Sequence, residues 1–203
     1  MKISNPTFKK FEVITLTVIT LLAVFKGQAT VFYLVYLFWF QELIRTLIDL
    51  TINNFKANKI VDKIDVIRST FFNFFLLFVY GIFIIVTFGL LLDFKNKELF
   101  KQNILVFFFR NWYFNINLIL FSIQYIIYRH QSQKTEVAIT VFNKRHIILH
   151  LSIILGAVIQ MILVPRLPID QNIWTSVLVI VPFLLLKIFL DRDYENSEKE
   201  HHN

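Results

Sequence analysis

The chain has 203 residues, of which 56% are hydrophobic and 24 are Phe; its formal charge is +7 and it contains no cysteine. That composition excludes a disulfide framework, a thiolate metal site and a cysteine nucleophile, and the apolar residues come in blocks of about 20 rather than in amphipathic periods. The basic residues lie between those blocks, where they read as topogenic and headgroup-facing charges rather than as a nucleic-acid surface.

Blocks of that length cross a hydrocarbon core of ~30 Å at ~1.5 Å per residue. Without period-2 alternation, they predict helices rather than a barrel. The expected fold is therefore an all-α, polytopic transmembrane bundle of about six spans, or five if the first run lies in the interface. The bilayer is its surrounding partner.

In chain order, a leader with Lys2, Lys9 and Lys10 precedes a first span over 11–25. There Thr15, Thr17 and Thr20 are expected to return their hydroxyls to the helix backbone. Lys26-Gly27-Gln28 makes a turn into a second span over 30–50. In that span Glu42, Arg45 and Asp49 fall at i, i+3 and i+7, on one helical face. Charges inside an apolar segment are costly unless they face protein or water, so this stripe is the first place to look for function.

The stretch 51–69 has apolar residues at helical spacing and a basic side carrying Lys56, Lys59, Lys63 and Arg68. It predicts an amphipathic helix on the membrane surface, resting on anionic headgroups or docking a partner protein. A third span over 70–92 is followed by a charged loop over 93–103 and a fourth span over 110–128. The fifth span, 145–163, brings His146 and His150, one turn apart on one face. Pro165 and Pro168 interrupt the chain before a sixth span over 173–190, which carries Pro182 and ends in Lys187 and Asp191. Residues 193–203 read as a charged, disordered tail.

With the N-terminus inside, 14 Lys and Arg face the cytoplasm and 5 face outside, which predicts both termini in the cytoplasm. The second, fourth and sixth spans then end at the inner face, and the fifth begins there. Glu42, Arg45, Asp49, His150, Lys187 and Asp191 are thereby expected in one polar layer, with Gln124, Tyr125 and Tyr128 at the same level. Glu42 is the deep member and Asp49 the surface member.

The stretches Leu37-Phe38-Trp39-Phe40-Gln41-Glu42 with Asn54 and Lys56, Val79-Tyr80-Gly81-Ile82-Phe83, Arg145 with Leu149-His150 and Gly156, and Leu186-Lys187 with Leu190-Asp191 and His201 carry a resemblance. In this order they resemble an uncharacterised family of bacterial multi-spanning membrane proteins, a domain of unknown function. The resemblance implies a multi-pass protein of the bacterial inner membrane and brings no activity with it. Val79 and Thr87 stand where that family carries histidine, so no metal or haem ligands carry over.

Three readings of the polar layer remain open. It binds a small ligand or ion, as in a transporter, sensor or partner subunit. It is an intramembrane enzyme with Glu42 and His150 as acid and base, with or without a metal. Or the chain is a structural anchor that docks a protein through 51–69. His146 and His150 suit a metal by spacing but lack a third ligand in sequence, and no His-Glu-x-x-His pattern occurs, so no metal or other cofactor is expected. No phosphate loop or nucleophile elbow is present. Trp39, Trp112 and Trp174 read as interface anchors, and Gly81, Gly89 and Gly156 as close helix contacts.

Overall fold

A computed structural model describes residues 5–56, 60–91, 96–131 and 144–163, together with 181, 182 and 185. Among these residues the chain is all-helical, with no strand. Six α-helices follow in order: α1 (Asn5–Phe25), α2 (Val31–Lys56), α3 (Ile60–Ile84), α4 (Lys97–Phe107), α5 (Trp112–Gln131) and α6 (Lys144–Val158). Helix α3 widens into π-helix over Ile85–Leu91, and α6 does so over Ile159–Leu163.

Local chemistry sets the boundaries. Gly27, at φ 65°, closes α1 in the left-handed conformation. Its N–H donates to Val24 O at 2.8 Å and Gln28 N–H donates to Ala23 O at 2.8 Å, which satisfies two terminal carbonyls. Thr30 caps α2 by accepting from Tyr33 N at 3.0 Å. Asn96 caps α4 in the same manner, accepting from Glu98 N and Leu99 N. Asn111 caps α5 from Phe114 N at 3.0 Å, and its amide donates to Gln28 O at 2.9 Å, tying this corner to the α1–α2 turn.

Helix α2 is the axis of the bundle. From Val31 to Phe38 every residue is buried, so the helix is apolar all round there, the pattern of a core helix. It packs against α3, α5 and α6, while α1 lies along α5. Small residues set the spacing. A Cβ on Gly81 would sit 2.8 Å from the Trp39 ring, and one on Gly156 3.0 Å from Phe88 and Val35. Trp39 locks the α2–α3 contact further by donating its indole N–H to Leu77 O at 2.7 Å.

The outer surface is apolar. Phe11, Ile14, Val18, Leu22 and Phe25 form an exposed stripe on α1, and Phe71, Phe75, Phe78 and Ile82 form one on α3. Meanwhile Glu12, Glu42 and Arg129 are buried. A water-soluble monomer shows the reverse arrangement. Three helical segments, Val31–Ile52, Thr70–Gly89 and Lys97–His130, are long and apolar enough to cross a membrane by length and composition. Two shorter apolar helices, Phe11–Phe25 and Leu149–Val158, accompany them. The chain is therefore a membrane-associated helical protein.

Three expectations change. The stretch 51–69 is not one helix: 51–56 finish α2, and 60–69 begin α3. A separate helix, α4, occupies much of the stretch read as loop and ends before the fourth span begins. Its break from α5 is a left-handed turn at Phe109, φ 57°, where Asn115 donates to Phe109 O at 2.7 Å. Trp39 is a packing residue between helices rather than an interface anchor, whereas Trp112 is 70% exposed. Of the sixth span only residues 181, 182 and 185 are described, all three helical, and Trp174 and the tail lie outside the described residues.

Candidate functional site

The polar residues gather at the end of the bundle where α1 starts and α2 and α5 finish, opposite the Gly27–Thr30 turn. Arg45 is its centre. One guanidinium nitrogen, Nη2, lies 2.5 Å from Glu12 Oε1 of α1, and Nη1 lies 3.5 Å from Glu42 Oε2 one turn back on α2. The flat cation rests against Phe121 and Tyr125 of α5, 5.0 and 5.7 Å from the ring centroids. Glu12 and Glu42 are buried, and Arg45 is only slightly exposed.

A second ion pair sits beside the first. Arg129 Nε of α5 lies 2.6 Å from Asp49 Oδ1, and the Tyr125 hydroxyl is 2.9 Å from both oxygens of that carboxylate. Arg129 is wholly buried, with 0% exposure. Tyr125 thus touches both halves: its ring meets Arg45 and its hydroxyl meets Asp49. Within this layer, three carboxylates from two helices meet two guanidiniums from two helices. Thr46 Oγ1 returns to Glu42 O at 2.9 Å. The Gln124 amide reaches Thr15 Oγ1 at 3.1 Å, joining α5 to α1 just above the layer.

The structure thus brings together Glu42 and Arg45, and sets Asp49 on a separate guanidinium with Tyr125. His150 is exposed, and its described partner is Tyr80 of α3, with Tyr80 OH 3.3 Å from His150 Nδ1. Lys187 and Asp191 lie outside the described residues. His146, Lys56 and Lys63 are within helices, and nothing is described of their side chains. Lys59 is not described, and Arg68 is exposed. Among the described residues, no group of three His, Asp or Glu side chains is arranged to hold a metal ion.

Two members of the layer are not evident from sequence. Glu12 sits at the very start of an apolar run, where it reads as a boundary charge. Arg129 reads as the first cation of a cytoplasmic loop. Their signal is helical register: Arg129 follows Tyr125 by one turn, and Glu12 shares a face with the buried Leu16, Ile19 and Ala23. The threonines of α1 divide as well. Thr15 donates back to Phe11 O at 2.8 Å, while the buried Thr20 lies against the Tyr33 hydroxyl.

The model of a family of unknown function, DUF6498, matches residues 1–203, and the chain belongs to that family. No curated protein and no solved structure matches it.

Proposed function

We propose that this member of the family of unknown function is a multi-pass protein of the bacterial inner membrane, with about six spans and both termini in the cytoplasm. Its charged layer, near the cytoplasmic face, takes up one monovalent cation, either a proton or an alkali metal ion. The role is that of a transporter or sensor rather than an enzyme. One observation carries this reading: Glu12 and Glu42, from two helices, converge on the guanidinium of Arg45 in a buried setting.

Two carboxylates, one from α1 and one from α2, share the Arg45 guanidinium. Buried carboxylates in an apolar surround are held at a cost that a nearby cation offsets. The 3.5 Å contact of Glu42 is looser than the 2.5 Å contact of Glu12, so Glu42 is the oxygen donor available to a second cation. The Asp49–Arg129 half, charge-balanced and held by Tyr125, acts as a lock between α2 and α5. The enzyme alternative needs Glu42 and His150 to work together, whereas the partner described for His150 is Tyr80.

Thermal unfolding of the purified, detergent-solubilised chain in lithium, sodium or choline chloride at equal ionic strength tests the reading, with a pH series in choline. Cation uptake stabilises the folded state by ~2.7 kcal/mol at 100-fold excess over Kd. A rise in melting temperature with a small cation or with acid, abolished in Glu42→Gln, is the expected result. Identical curves for wild type and Glu42→Gln under every condition would remove the reading. Reporter fusions at Asn203 that place the C-terminus outside would remove the topology.

A further inference from the structure

The end of the bundle opposite the charged layer has a chemistry of its own. Two hydrogen bonds gather it. Asn111, at the start of α5, donates to Gln28 O at 2.9 Å in the α1–α2 turn, and Asn103 of α4 accepts from Thr30 Oγ1 at 2.8 Å at the start of α2. Segments 22–30 and 96–112 therefore meet at one end. They carry four exposed cations, Lys26, Lys97, Lys101 and Arg110, against one carboxylate, Glu98. Among the described residues none of these four cations is ion-paired.

Helix α4 sorts its residues by side. Asn103 and Val106 are buried, while Lys97, Lys101 and the C-cap Phe108 recur at i, i+4 and i+11 on the exposed side. The helix then ends in a built corner. With Phe109 at φ 57°, Phe109 N–H donates to Val106 O at 3.0 Å and Arg110 N–H donates to Leu105 O at 2.7 Å, the two bonds of a Schellman motif. Arg110 and Trp112 leave this corner exposed.

Exposed apolar residues run up to these cations. On α1 the stripe of Val18, Leu22 and Phe25 ends at Lys26, and on α5 Arg110 and Trp112 precede a stripe of Ile119, Ile123 and Ile126. A ring set between an apolar stripe and a cation suits the edge of a hydrocarbon core, with the ring at headgroup level. An acidic protein would match the cations alone. An anionic bilayer surface matches the cations and the rings together.

We propose that α4 and the Phe108–Trp112 corner form a docking surface for anionic phospholipid. Lys97, Lys101 and Arg110, with Lys26 across the Gln28–Asn111 bond, attract the lipid phosphates, and Phe108 and Trp112 lie among the acyl chains just below. The inference rests on the membrane setting and is independent of the cation proposed at the charged layer. A Lys or Arg near an anionic surface is worth about fivefold in lipid affinity, so three of them reach ~100-fold and enrich anionic lipid locally. Salt screens this attraction over ~10 Å at ~0.1 M.

The test uses the full chain in nanodiscs of equal phosphatidylglycerol and phosphatidylcholine, with bromine on the acyl chains of one lipid or the other. Trp112 emission is taken as the difference between wild type and Trp112→Phe. Brominated phosphatidylglycerol is expected to quench it about twofold more than brominated phosphatidylcholine, and added sodium chloride to shrink that preference. Arg110→Gln alone is expected to lower the preference, and Lys97→Gln, Lys101→Gln and Arg110→Gln together to remove it. These side chains are exposed, so the triple variant is expected to melt within about two degrees of wild type in neutral detergent, which separates lost lipid preference from misfolding. Equal quenching by the two lipids in wild type, or a preference that the triple variant keeps, would overturn the proposal. Loss of the preference with inorganic phosphate, beyond that with sodium chloride at equal ionic strength, would overturn the bilayer surface in favour of a free-anion site.

Discussion

Replacing Arg129 by Met examines how the second ion pair holds α5 to α2. In the native fold Arg129 is fully buried, 2.6 Å from Asp49 Oδ1. Two unit charges ~4 Å apart interact by ~4 kcal/mol at an effective dielectric constant of ~20. Removing one partner of a buried pair costs ~3–5 kcal/mol, because the other charge is left behind. Asp49 retains Tyr125 and has a partly exposed edge, with 17% side-chain exposure, so the lower end of that range applies. We expect Arg129→Met to lose ~3 kcal/mol.

The double variant Asp49→Asn with Arg129→Met removes the stranded charge and is expected to recover at least ~1.5 kcal/mol of the summed single losses. The assay is equilibrium unfolding of detergent-solubilised protein in mixed micelles of increasing SDS fraction, followed by helical circular dichroism. Losses that add to within ~0.5 kcal/mol in the double variant would refute the coupling.

Other positions give independent checks. Gly81→Ala places a methyl 2.8 Å from the Trp39 ring, and overpacking of this kind costs ~1–3 kcal/mol, partly offset by alanine's better helix propensity; a net fall in melting temperature is expected, with Trp fluorescence reporting the displaced indole. Asn103→Leu removes the amide bond to Phe88 O and the acceptor of the buried Thr30 hydroxyl, for an expected loss of ~1–3 kcal/mol by the same unfolding assay. Phe109→Gly relieves a left-handed residue, worth ~1–2 kcal/mol, but deletes ring contacts with Phe40 and Phe114. Phe109→Leu loses the rings and keeps the strain, so it is expected to melt below Phe109→Gly.

Much of the helical layout is legible because the apolar runs and their caps are local. Gly27, Thr30 and the run from Val31 specify a turn and a buried helix within ten residues, and Gly81 and Gly156 do meet side chains of neighbouring helices. The α4–α5 break is hidden, since Phe107, Phe108 and Phe109 continue an apolar run and no glycine or proline marks the turn. The site divides in the same way. Spacing within α2 puts Glu42 and Arg45 on one face, and the level of Tyr125 follows from helix length and direction. Glu12 and Arg129 depend on how α1 and α5 are rotated against α2, which packing decides and single-helix periodicity does not. Rotation also matters for His150, which meets Tyr80 of α3.

The charge state of the Glu12–Arg45–Glu42 group is tested most directly by Glu42→Gln in choline chloride, with no small metal cation present, at pH 8. Gln keeps the shape of Glu42 and removes the negative charge. If the loosely held Glu42 serves a second cation rather than Arg45, Glu42→Gln melts at or above the wild-type temperature. A fall of several degrees, the size expected for a charge pair that only holds the helices together, would contradict a cation site.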